Sequence, residues 1–402
     1  MSDASVDPRY APIAPPKKAV KLSWSDPIFR GLVWQVVIIG SVIGIVWYLA
    51  SNTSTNLANR HIATGFAFLG RVAGIPIGEH PIAYEPSVNT FGLALWVGVL
   101  NTLQVSVIGI ILATVLGTLI GIARLSRNWL LAKLAMTYVE VIRDIPLLLH
   151  LFFWYGIVQT LPVPRAALNP LPGLFLSNRG IRFAELVWEP AHTGAFLAFL
   201  IGLLLTVFVS QRATKVQEAT GARPAVWPAA LGSLLVLPIA VWTMMGAPFA
   251  WETPTLRGFN FQGGGTLSPE FGALLIGLVI YTAGYIAEIV RSGIQAVPNG
   301  QVEAAGALGL RPGLVLRKIV LPQALRVIIP PMTSQFLNLT KNSSLAVAIG
   351  FQDFVSIANT TLNQTGQAIE VIALIMLVYL SISLSISLFM NWYNKRIALV
   401  ER

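Results

Sequence analysis

Cysteine is absent from the 402 residues, which removes disulfides, thiolate metal sites and thiol nucleophiles from consideration. Histidine is scarce. His61, His80, His150 and His192 are scattered, and none has the spacing of a metal site. No phosphate-cradling G-x-x-x-x-G-K-[ST] stretch occurs, so the chain has no nucleotide motor of this type. Charge is the most telling shortage. Only 11% of residues are Asp, Glu, Lys or Arg, against about 25% in a soluble domain. A mean hydropathy of +0.70 completes the picture of a chain whose natural solvent is lipid.

What is present is a series of apolar runs. Eight are long enough to cross hydrocarbon, which takes about 20 residues as a helix: Gly31–Ala50, Phe91–Ala123, Ile145–Leu161, Gly194–Gln211, Trp227–Ala247, Phe271–Ala287, Val327–Gly350 and Val371–Trp392. The second is long enough to tilt. The first has no charge and exceeds the apolar core of a secretory signal, so a retained span is expected. Strand-like alternation is missing from these runs, which excludes a transmembrane β-barrel. The predicted fold is an all-α polytopic bundle of about eight helices, since a helix satisfies its own backbone within lipid.

The net charge of +10 does not form the single basic stripe of a nucleic-acid binder. The cations fall in short clusters between spans. With eight spans, 20 of the 27 Lys and Arg lie on one side, 6 on the other, and Lys341 lies inside a span. This asymmetry places both termini in the cytoplasm. Residues 1–30, polar and proline-rich, read as a disordered cytoplasmic tail. Residues 31–90 hold the first span and a far-side segment. That segment includes Gly65–Gly70, which is expected either at the interface or packed on the bundle. Residues 396–402 form the second cytoplasmic tail.

The loop between the sixth and seventh spans runs Val297-Pro298-Asn299-Gly300-Gln301-Val302-Glu303-Ala304-Ala305-Gly306-Ala307-Leu308-Gly309-Leu310 and on to Leu321-Pro322. Pro298 suits a helix start. Glu303 is expected near the positive end of the helix dipole. The alanines favour helix, and Gly309 suits a left-handed stop. Leu314–Leu321 predicts a second short helix ending before Pro322. The result is a smooth, small-residue helix that a groove on another protein can approach closely. This spacing resembles the EAA loop of binding-protein-dependent ABC importer permeases. The resemblance implies that Glu303, Ala304, Ala305, Gly306, Ala307, Gly309, Leu310, Leu321 and Pro322 couple the chain to an ATP-binding subunit. That subunit would hold ATP and magnesium, while this chain would carry no cofactor, catalytic residue or metal site.

Tyr138-Val139-Glu140-Val141-Ile142-Arg143-Asp144-Ile145-Pro146-Leu147-Leu148 resembles a signature of polar amino acid permeases of the histidine/glutamine type, as does Asn101-Thr102-Leu103. Glu140 and Arg143, three apart on a helix, are positioned for an ion pair. The family core has five spans, here within 91–161 and 271–395. The first span and the insert 162–270, with its two spans, are additions. Trp251-Glu252 and Gly258–Gly264 make this layout similar to the long permeases of general L-amino acid and glutamate/glutamine/aspartate/asparagine importers. The resemblance implies a bacterial inner-membrane, multi-pass permease moving L-amino acids by alternating access. Its partners would be ATP-binding subunits, a second permease or a copy of itself, and a periplasmic amino-acid-binding protein. The alternative class is an ion-coupled secondary transporter, whose folds show repeated halves and interior acids.

The seventh span is polar at its centre. Pro330 and Pro331 are expected to bend or break it, and Asn338, Thr340, Lys341, Asn342, Ser343 and Ser344 follow. A cation at mid-membrane must face protein or water. Lys341 could meet a substrate carboxylate while oxygens of Asn338, Asn342 or Ser344 meet its ammonium. The alternative is a permanent partner for Lys341, such as Glu370.

Overall fold

The computed structural model describes Trp24, residues 27–59 and residues 64–397. The chain forms two compact units, one ending at Phe66 and the other beginning at Ala67. Most of the N-terminal tail and the last five residues lie outside the described residues.

The first unit contains α1 (Pro27–Asn59). Its apolar side chains face outward on all sides; Trp34, Val37, Ile38, Ile43 and Trp47 are all exposed. A helix without a polar face is built for an apolar surround.

The second unit opens with a short 3-10 turn, Ala67–Gly70. Phe68 is buried against Phe91, ring centroids 6.2 Å apart. The Gly65–Gly70 patch therefore contributes a core side chain to the bundle. Helix α2 (Phe91–Ala123) starts on Thr90, whose hydroxyl accepts from the Leu93 N–H. After it come α3 (Trp129–Asp144), capped by Asn128, and α4 (Leu147–Gln159). These two bend by 106° at Ile145-Pro146, because a residue before proline is pushed out of the helical region. The third expected span is thus the shorter arm of a bent pair.

The region after α4 adds short strands to the otherwise helical bundle. It contains β1 (Leu168–Leu171), β2 (Leu174–Ser177), β3 (Gly180–Phe183) and β4 (Glu185–Leu186). Next come α5 (Pro190–Thr220), α6 (Trp227–Leu231) and α7 (Leu237–Met244), the last two joined by a π turn over Gly232–Val236. Four further strands follow: β5 (Trp251–Glu252), β6 (Thr255–Arg257), β7 (Asn260–Gln262) and β8 (Gly265–Leu267). An antiparallel sheet in the order β1-β2-β3-β8 ties the start of the insert to its end, with Ile181 opposite Leu267. Stacking of Phe175 on Phe261 at 4.5 Å reinforces it. Within the helical hairpin, Thr206 and Ser233 hydroxyls lie 2.8 Å apart.

Helix α8 (Pro269–Gln295) is the hub of the bundle and packs on α2, α3 and α4. Its approach to α2 is close at Gly117, where a Cβ would stand 2.7 Å from Ile286; only glycine fits that crossing. The chain then forms α9 (Asn299–Ala307) and α10 (Pro312–Val315). A π turn, Leu316–Val320, leads into α11 (Leu321–Asn342). A 3-10 segment, Ser343–Ile349, leads to α12 (Phe354–Thr365) and α13 (Ala368–Ile397).

Among the described residues six helices are long and apolar enough to cross a membrane, and the bent α3–α4 pair would make a seventh. The seventh expected span, now α11, does not reach that apolarity because its second half carries the polar stretch. Pro330 and Pro331 do not break it. The helix runs through both, and the Thr333 hydroxyl donates to the Ile329 carbonyl at 3.3 Å. The break comes later, at Ser343.

Candidate functional site

At one end of the bundle α8 delivers the chain to Pro298, which caps α9. Of the nine residues of α9 only Ala305 is buried, at 2% exposure. Its neighbours Glu303, Ala304, Gly306 and Ala307 stand in the open, and Leu308 follows at 81% exposure. Gly309 has φ +75°, the left-handed stop a glycine takes without strain. Its N–H donates to the Gly306 carbonyl, and the Leu310 N–H closes on Ala305 at 3.2 Å, satisfying the last helix carbonyls. Glu303 is the fifth residue of this helix, outside the first turn where its charge would favour the dipole. Leu321 is exposed and Pro322 half-buried in the first turn of α11. The second helix therefore does not end before Pro322, because a proline is tolerated in a first turn.

Helix α11 divides its polar residues between two faces. Thr340 and Ser343 are buried, their hydroxyls donating to the Phe336 and Thr340 carbonyls at 3.0 and 2.8 Å. Their donors are used within the segment and their side chains face the bundle interior, apart from the exposed residues of the same stretch. Ser334, Asn338 and Lys341 are exposed, and at i, i+4 and i+7 they form one stripe. Asn342 and Ser344 are half-buried, and the Ser344 hydroxyl donates to the Lys341 carbonyl at 2.7 Å. The described ion pairs do not include Lys341.

Glu140 and Arg143 do not form the expected pair. The Arg143 guanidinium lies 5.0 Å from the Tyr285 ring centroid, a cation–π contact. The ion pairs nearby join Glu288 to Arg124 and to Arg291. All of these groups, with Asp144, line a polar cavity of about 360 Å³. The Glu288–Arg291 spacing of three was readable on a helix. Arg124, 164 residues away, carried no such signal. His150 is buried, its Nε2 3.2 Å from the Ile142 carbonyl and its ring edge-on to Tyr281.

The opposite end is held by a buried polar clamp. Asn101, 1% exposed, donates to the carbonyls of Glu79 and Gln352 at 2.9 Å each. Gln352 in turn donates to the Pro76 carbonyl and accepts from the Gly78 N–H. The Glu79 carboxylate accepts from the Ser268 N–H, and burial pushes its pKa up. The Phe354 N–H donates to the Thr102 hydroxyl at 3.1 Å. Asp353 caps α12 by accepting from the Ser356 N–H at 2.9 Å and takes a contact from the Tyr379 hydroxyl at 3.3 Å. Its burial raises its pKa to about 6.

Among described residues no cluster of metal-binding side chains occurs. A small exposed helix on a loop between core helices, with the helical core on which it stands, is the arrangement of a membrane permease. Residues 106–399 match the model of the binding-protein-dependent transport system inner membrane component. The chain belongs to that family. Three curated relatives extend the match over nearly the whole permease. It is 49% identical to the general L-amino acid transport system permease protein AapQ of Rhizobium johnstonii, covering 94% of each chain. It is 50% identical to the putative amino-acid ABC transporter permease protein YhdX of Escherichia coli, covering 95% of this chain and 97% of that one. Identity is 43% to the glutamate/glutamine/aspartate/asparagine transport system permease protein BztB of Rhodobacter capsulatus, covering 96% and 99%. The permease is a non-catalytic membrane subunit, and ATP hydrolysis belongs to a separate subunit. Membership replaces the ion-coupled alternative.

Proposed function

We propose that this permease imports L-amino acids, either broadly or within the glutamate, glutamine, aspartate and asparagine group. The reading draws on relatives whose names carry those substrates. A periplasmic binding protein delivers the amino acid to the clamp end. A second permease, or a copy of this one, completes the pathway. Both termini face the cytoplasm, a reading supported by the 20-to-6 cation asymmetry of the eight-span layout.

The observation that carries the proposal is α9: a helix with one buried residue, followed by Leu308 almost fully in the open. A lone exposed leucine needs no explanation. Here, though, Val302, Leu308, Leu310 and Leu314 are exposed on one loop, and such a patch on a small protruding element marks a protein contact. The ATP-binding subunit covers it. Closure of that subunit on ATP moves α9, and α9 passes the movement through α8 and α11 to the spans. Access then alternates between the two membrane faces. The stripe of Ser334, Asn338 and Lys341 lines the path, with Lys341 meeting the substrate carboxylate and Asn338 its ammonium.

Because the chain has no cysteine, a single Leu308→Cys places a unique thiol on the loop. A thiol-reactive cross-linker should join it to the ATP-binding subunit, with a yield that changes on adding ATP. Cross-linking no greater than from a thiol placed at Ser87, in the segment between α1 and α2, would remove α9 from the interface.

A further inference from the structure

A second cavity lies between α2, α8, α11 and α13, toward the end that bears α9. It holds about 370 Å³, within the roughly 300–1,000 Å³ of small-molecule pockets. Its wall is almost wholly apolar; Ile122, Leu321, Ile329, Met390 and Tyr393 contribute, and the hydroxyl of Thr118 is among the few polar groups. Such a wall suits no amino acid. A zwitterion placed there would lose its water and gain no partner.

The rim is different in kind. Leu321 and Tyr393 line the cavity. Lys318 stands in the π turn three residues before Leu321, and Arg396 stands one turn after Tyr393 on α13. Each chain direction that leaves the cavity toward the loop end thus carries a cation within three residues of the wall, and on α13 residues three apart share a face. Both cations are exposed. Arg396 lies 4.6 Å from the Trp392 ring centroid, and neither it nor Lys318 joins the described ion pairs. An apolar slot below two cations, among membrane helices, matches one chemistry: a hydrocarbon tail beneath an anionic head.

We propose that this cavity is a binding site for a glycerophospholipid with an anionic headgroup, one acyl chain in the slot and the phosphate between Lys318 and Arg396. Basic pockets between membrane helices take anionic headgroups in this way, and the acyl chain adds burial that a free phosphate lacks. The lipid wedges α13 against α11 and α8, the helices that join α9 to the polar stripe. Transport is therefore sensitive to the anionic lipid content of the bilayer.

The test uses the full chain, purified from membranes with the subunits that accompany it and transferred into nanodiscs of phosphatidylcholine with or without phosphatidylglycerol. Native mass spectrometry should show retained phosphatidylglycerol on the wild type. Lys318→Gln and Arg396→Gln should each weaken retention by about fivefold. Thr118→Trp, which fills the slot and leaves the cations in place, should also abolish it. Lys395→Gln, beside the rim, should leave retention unchanged, and thermal unfolding of each variant confirms that it is folded. Equal retention of phosphatidylglycerol and phosphatidylcholine, or full retention in Thr118→Trp, would overturn the site. So would inorganic phosphate competing the lipid away, since that would leave the slot without a role. None of these readouts depends on which amino acid is carried.

Discussion

The two ends of the bundle treat polar and apolar groups in opposite ways. At the clamp end, Asn101, Gln352, Thr102 and Asp353 are polar side chains whose bonds go to the chain itself. At the loop end, α9 leaves Leu308 and its neighbours uncovered, and α11 between the ends presents Lys341 without an ion pair among those described. The clamp's amide donors are paired within the chain and hold one geometry, while the Asn101 Oδ1 is buried without a hydrogen-bond partner. An uncovered group in a charge-poor chain leaves its interaction open for another molecule. The comparison sets a self-paired scaffold against the residues to which the proposed function gives a role.

Breaking the clamp should produce the largest loss of stability. Asn101→Leu leaves the carbonyls of Glu79 and Gln352 without this donor, at about 1–3 kcal/mol for each group left unsatisfied. Thermal unfolding of the purified complex should fall accordingly, and less complex should assemble. A wild-type melting curve in this variant would mean that the segment before α2 is not held by Asn101.

Lys341→Met tests the other side of the comparison. It should leave unfolding unchanged, since Lys341 is exposed and joins none of the described ion pairs. Uptake should drop roughly ten- to hundredfold, the worth of one charge-assisted bond at about 1.5–3 kcal/mol. Thr340→Val, one residue away but buried, should retain uptake, because its hydroxyl is already spent on Phe336. Equal loss in both variants would erase the distinction between the two faces of α11.

A smaller effect is expected at Asp353. Alanine removes a helix cap worth about 1 kcal/mol, whereas asparagine keeps an oxygen for the Ser356 N–H. Wild type and Asp353→Asn also differ in pH dependence. Burial raises the Asp353 pKa from 3.8 to about 6, so the folded state favours the protonated acid. Its contribution is full below about 4 and is lost as pH rises through 6. Melting temperatures measured from pH 5 to 8 should therefore decline in the wild type and stay flatter in Asp353→Asn.

Much of this architecture was legible in the sequence because lipid leaves few options. The apolar runs at Phe91–Ala123 and Phe271–Ala287 became α2 and the centre of α8, and Gly309 stops α9 with φ +75°. Other features resisted for physical reasons. The amphipathic α3 carries too much charge to show as a span. The strands of the insert are two to four residues long and pair across the sequence, Gly180–Phe183 with Gly265–Leu267, so no local periodicity announces them. The inward turn of Thr340 and Ser343 depends on helical phase within a run where every residue is polar. Arg143 met Tyr285 instead of Glu140 because α8 brings an aromatic face to it, a contact that spacing within α3 does not encode.

The central claim is that α9 carries force while contributing little to the fold, and one double variant tests it directly. Ala304→Glu with Leu308→Arg puts bulky charge on the exposed surface and leaves Ala305 in place. Uptake and substrate-stimulated ATP hydrolysis by the reconstituted transporter should both fall by about tenfold or more, with the melting temperature unchanged. Normal uptake and normal stimulation in that variant would contradict the account.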